Sequence, residues 1–190
     1  MANQIANDSS QSGGWLRPAV FGAMDGLVSN IALIAGVAAG ATAAGADQAQ
    51  AVIVAGFAGL GAGAFSMAAG EYVSVASQRN LLQKQKNSGS SSEHLDQFIS
   101  THVNPFVAAI SSFVAFATGA IVPLIPYLFG AKSVLYAASI TAVALFATGA
   151  VIGKITDENW LRSGLRQFLL GTAAGAATHV LGTITGGFLA

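Results

Sequence analysis

Two carboxylates, Asp25 and Glu71, stand within stretches that are otherwise free of charge. A carboxylate in mid-membrane costs roughly 2.5–3.5 kcal/mol on insertion scales, so one that persists there is a candidate for function. Met67 precedes Glu71 by four residues, which on a helix places the thioether and the carboxylate on one face, a turn apart. Asn30 and Ser66 add neutral oxygens nearby. Oxygen donors suit hard and borderline divalent ions such as Mn²⁺ and Fe²⁺, and a thioether leans toward softer ones. A carboxylate can also trade a bound cation for a proton. Asp25, Met67 and Glu71 therefore read as a divalent-cation site, with Asn30 and Ser66 along the same path.

The elements that position these residues follow from the composition. Only 8% of the 190 residues are charged, 53% are hydrophobic, and 23 are glycine. A typical soluble domain carries about 25% charged residues. So few charges cannot cover a water-soluble surface, and they exclude a disordered chain and a nucleic-acid binder. The absence of cysteine excludes disulfides and thiolate-held metals. An all-α polytopic membrane protein is expected, with five helices over about 19–43, 49–82, 104–128, 132–153 and 158–189. A polar tail over 1–16 precedes a single transmembrane domain over 17–190, and a cytoplasmic linker occupies 83–103. Thr156 or Asp157 is expected to cap the fifth helix. Pro123 and Pro126 predict a kink or early end in the third.

Arg17, Arg79, Lys84, Lys86, Lys154, Arg162 and Arg166 fall on one side of a five-span topology, and Lys132 alone on the other. The positive-inside rule then places the N-terminus in the cytoplasm and the C-terminus outside. Asp25 lies roughly 10 Å past Pro18 and Glu71 roughly 12 Å before Arg79 along antiparallel helices, at 1.5 Å per residue. The two carboxylates are thus expected at similar depth. The pairs Gly22/Gly26, Gly36/Gly40 and Gly59/Gly63 have the spacing that lets membrane helices pack closely. His179 in the fifth span, and Glu93, His94, Asp96 and His102 in the linker, are left without an assigned role.

The segments Gly22-Ala-Met-Asp-Gly-Leu-Val-Ser and Ala35-Gly-Val-Ala-Ala-Gly resemble the first helix of the vacuolar iron transporter family. Ala62-Gly-Ala-Phe-Ser-Met-Ala-Ala-Gly-Glu-Tyr-Val-Ser-Val is similar to its second helix. Asn104-Pro and Phe116-Ala-Thr-Gly-Ala-Ile-Val-Pro-Leu-Ile-Pro-Tyr are similar to its third. The resemblance implies five helices, a homodimer, and export of Fe²⁺ or Mn²⁺ from the cytosol in exchange for protons. It places Asp25, Met67 and Glu71 on the ion path. The connection between helices two and three is short and has no methionine. It lacks the Glu- and Met-rich cytoplasmic metal-binding domain of the longer eukaryotic members, and looks like the shorter bacterial or nodulin-21-like ones.

The expected function is therefore divalent-metal transport, with a passive cation channel or a metal-binding membrane protein without transport as alternatives. The chain is not expected to be an enzyme or to carry a cofactor beyond the transported Fe²⁺ or Mn²⁺ and the protons exchanged for it. Its expected partners are divalent metal ions, the lipid bilayer and a second copy of itself, with no nucleic acid. A prokaryotic cell membrane is expected, or a vacuolar membrane if the source is eukaryotic.

Overall fold

The computed structural model describes residues 15–87 and 104–189, and these are all-helical. The helices are α1 (Leu16–Ala43), α2 (Gln48–Asn87), α3 (Pro105–Ile121), α4 (Val134–Ile155) and α5 (Trp160–Leu189). A 3₁₀ turn at Val122–Leu124 and a further helical turn at Ile125–Leu128 continue α3, so the third span reaches Leu128. Each of the five is long and apolar enough to cross a membrane. The change to 3₁₀ coincides with Pro123 and Pro126, neither of which can donate a backbone hydrogen bond.

Short polar residues start the helices. Asp47 Oδ1 accepts from the backbone N–H groups of Ala49 (2.9 Å) and Gln50 (3.3 Å) at the start of α2. Asn104 accepts from Phe106 and Val107 ahead of α3, and Ser133 from Leu135 ahead of α4. The cap of α5 is not at Thr156 or Asp157, as the sequence suggests. Thr156 closes α4, its N–H donating to the Ile152 carbonyl. Asp157 turns the chain in the left-handed region at φ 54°, which a short polar side chain tolerates better than most. Asn159 then accepts from Leu161 and Arg162 at 3.0 and 3.2 Å. Asn159→Ala should lower stability by about 1 kcal/mol, read as a lower thermal midpoint in detergent. Thr156→Ala should move it less, because no α5 N–H depends on it.

Helix α1 packs chiefly on α3 and α5 and also on α2 and α4. Glycine permits these approaches. A methyl at Gly26 would overlap the Phe116 carbonyl oxygen of α3, and one at Gly119 would overlap the Ala23 carbonyl oxygen of α1. Gly22 meets the Ser112 carbonyl oxygen at 2.7 Å from its would-be Cβ. On the other flank, Gly182 and Gly186 of α5 lie against the backbone of Gly36 and Gly40. Hydrogen bonds tie both crossings. Asn30 Nδ2 donates to the Ala120 carbonyl at 2.5 Å, and Thr178 Oγ1 to the Ala32 carbonyl at 2.6 Å. Such bonds between membrane helices contribute about 0.6 kcal/mol on average.

One apolar cluster joins Ile31, Ile34 and Ala38 of α1 to Val52, Leu124, Tyr127 and Ala137. A second joins Ala64, Phe116 and Ala120. Large apolar side chains such as Phe21, Phe65, Val73, Leu135 and Phe188 point outward. That is the reverse of a soluble surface and fits a lipid-facing one.

Candidate metal site

A pocket of about 210 Å³ opens between α1, α2 and α3. Helix α1 contributes Asp25, Ser29, Asn30 and Leu33, α2 contributes Gly59, Gly63, Ser66 and Met67, and α3 contributes Phe116. Four of the five residues expected on the ion path, Asp25, Asn30, Ser66 and Met67, thus line one space. Glu71 does not line it. It is half-buried on α2 one turn beyond Met67, about 6 Å along the axis. Among the described residues, neither the Asp25 nor the Glu71 carboxylate has a hydrogen bond or ion pair. Both acids are half-buried and lack the partners that ordinarily offset desolvation of a charge.

Ser29 escaped the sequence reading. It lies four residues after Asp25, on the same helical face, and that spacing could have identified it. Its hydroxyl donates to the Asp25 carbonyl at 2.6 Å, leaving lone pairs free to accept. Phe116 was legible only as part of a motif. Its ring is 2% exposed and lies where a Gly63 side chain would stand, so the glycine makes room for the ring at the pocket wall.

Asn30 is the most constrained polar group in the pocket. It is 2% exposed, its amide nitrogen is engaged by Ala120, and its Oδ1 has no hydrogen-bond donor. A buried acceptor left unpaired costs about 1–3 kcal/mol. Ser112 Oγ, at the α1–α3 crossing, is the other buried unpaired side-chain oxygen among the described residues.

No group of three or more His, Cys, Asp or Glu gathers among the described residues. An ion in the pocket would meet one carboxylate, one thioether, neutral oxygens and its own water. His179 is elsewhere. It lines a separate groove of about 440 Å³ between α1, α4 and α5, with Ser139, Thr141 and Thr172. His179 therefore does not share a pocket with Asp25. Glu93, His94, Asp96 and His102 lie outside the described residues. The six glycines of the three spaced pairs all face a neighbouring helix of the same chain, Gly59 and Gly63 meeting Leu33 and Phe116.

The sequence matches the VIT family over residues 16–97 and 90–183. It is 39% identical over 181 residues to vacuolar iron transporter homolog 5 of Oryza sativa subsp. japonica, covering 92% of this chain and 82% of that one. It is 38% identical over 196 residues to vacuolar iron transporter homolog 1 of Arabidopsis thaliana, covering 98% and 90%. With VIT-like transporter 1b of Glycine max the identity is 36% over 187 residues, covering 94% and 80%. With five membrane-length helices and a family match that runs through the pocket-lining segments, the chain belongs to the VIT family.

Proposed function

We propose that this protein is a divalent-metal transporter that moves Fe²⁺ or Mn²⁺ out of the cytosol in exchange for protons. The observation that carries the reading is the pocket holding the unpaired Asp25 carboxylate beside Met67, Asn30 and Ser66, within helices of membrane length. Its relatives are named as vacuolar iron transporter homologs, which supports iron as a cargo. The oxygens of Asp25, Ser29, Asn30 and Ser66 suit manganese equally well.

A cation entering from the cytoplasm is drawn by Glu71 and then by Asp25. Beyond Asn30, buried Ile34, Val52, Leu124 and Tyr127 close the path toward the α1–α2 connection. Gln48 Nε2 donates to the Tyr127 hydroxyl at 3.2 Å in the same region. Helices that meet through glycine backbone can shift against one another to open this layer. A proton arriving from outside then displaces the metal from Asp25. A homodimer is part of the reading, because α2 and α5 leave most of their surface uncovered in the single chain. The seven-to-one placement of basic residues supports a cytoplasmic N-terminus. We infer a prokaryotic cell membrane, or a vacuolar membrane in a eukaryote, and the names of the plant relatives support the second.

Proteoliposomes loaded with a fluorescent metal reporter test the exchange. An inside-acidic gradient should drive Mn²⁺ and Fe²⁺ uptake against their own gradients, with alkalinisation of the lumen. Metal flux that only follows its own gradient, with no proton movement, would instead indicate a channel.

A further inference from the structure

We propose that Asn30 is a hard-ligand position of the cation pocket, and that its carbonyl oxygen, set against the Met67 thioether, shifts the preference toward hard over soft divalent ions. The inference rests on the transport reading and assigns a selectivity role within that site.

The orientation of the amide follows from chemistry. Ala120 presents a carbonyl oxygen, which can only accept, so the Asn30 atom 2.5 Å away must be the NH₂ group. Oδ1 is thereby directed away from α3. It is buried, it has no donor, and its residue lines the pocket that holds Asp25. The Ala120 bond prevents the amide from turning over to satisfy that oxygen elsewhere.

Gly59 leaves the oxygen uncrowded from the α2 side. A Cβ at that position would stand 3.2 Å from Asn30 Oδ1, with the end of the Leu33 side chain as its other close neighbour. Any side chain on α2 here would crowd the acceptor that α1 holds in place.

The donor chemistry then divides between two helices. An amide oxygen is a hard, neutral ligand of the kind that binds Ca²⁺, Mg²⁺ and Mn²⁺. A thioether favours soft ions. Asp25 supplies charge, which attracts every divalent cation, and its carboxylate oxygens are hard donors as well. Asn30 and Met67 add a neutral hard donor and a soft one from facing helices, so their balance shifts the preference that Asp25 sets.

Equilibrium binding of Mn²⁺ and Cd²⁺ to the purified full chain in nanodiscs tests this. Asn30→Leu should weaken Mn²⁺ by about tenfold, the lower end of the loss seen when a metal site loses a supporting group. It should weaken Cd²⁺ by less than about threefold. Met67→Leu should do the opposite. Gly59→Ala leaves the Asn30–Ala120 hydrogen bond in place and should move the Mn²⁺/Cd²⁺ ratio in the same direction as Asn30→Leu. Equal weakening of both ions by Asn30→Leu, or an unchanged ratio in Gly59→Ala, would overturn the proposal and leave Asn30 as a packing residue. The transport reading fails separately, if Asp25→Asn leaves the affinities of both ions unaltered.

Discussion

Asp25→Asn should reduce metal-driven proton flux by at least about 100-fold, and Asp25→Asn with Glu71→Gln should leave none above empty liposomes. The carboxamide is nearly isosteric, so the change removes charge and the exchangeable proton site with little change of shape. The expected size follows from the surroundings. Two unit charges 4 Å apart attract by about 4 kcal/mol at an effective dielectric of 20, and a divalent ion doubles that before dehydration is counted. A loss of 100-fold needs only about 2.7 kcal/mol. Asp25 has no ion pair among the described residues to share this work. Glu71→Gln alone should have the smaller effect, severalfold, because Glu71 stands outside the pocket lining. Full flux in the double variant would remove this site from the transport path. Thermal unfolding of each variant distinguishes lost chemistry from lost protein, and an uncharged residue in place of an unpaired acid should not destabilise the helices.

Gly182→Leu should abolish the folded protein, whereas Gly61→Ala should be nearly silent. At Gly182 even a methyl would overlap the Gly36 carbonyl oxygen, with the Gly36 carbonyl carbon and Cα at 2.7 and 2.9 Å. Those neighbours are backbone and cannot rotate away, so α1 and α5 must separate. Overpacking a well-filled core costs about 1–3 kcal/mol, occasionally more. Separation would also strain the Thr178–Ala32 hydrogen bond on the same crossing. Gly26→Leu should behave likewise at the α1–α3 crossing, where the obstacle is the Phe116 backbone. A Cβ on Gly61 meets nothing within 4 Å, and alanine favours helix by about 1 kcal/mol over glycine. Fluorescence-detected size-exclusion chromatography of detergent extracts reads the contrast directly. A monodisperse Gly182→Leu at wild-type yield would refute the close α1–α5 crossing.

Several features are legible in the sequence alone. Scarcity of charge excluded a soluble domain, and apolar runs of membrane length gave five helices. Pro123 and Pro126 marked where the third helix changes, whereas the caps at Asn104 and Ser133 emerged only from the structure. The same scarcity made Asp25 and Glu71 conspicuous. The cap of α5 was misplaced because Thr156, Asp157 and Asn159 all have side chains that can cap. Only the path of the turn, with Asp157 in the left-handed region, decided among them.

What the sequence determined is therefore what short-range physics controls: which segments prefer lipid, which residues end a helix, and which charges are out of place. These depend on one segment and its solvent. Tertiary structure decided which faces meet. It set Asp25, Asn30, Ser66 and Met67 around one pocket, left Glu71 a turn outside it, and sent His179 to a separate groove. It also left Asn30 Oδ1 buried without a donor. Those outcomes depend on how closely and at what angle distant helices cross. The contacts of Gly22, Gly26, Gly119 and Gly182 with other helices set those crossings, and hydropathy along a single helix carries no record of them.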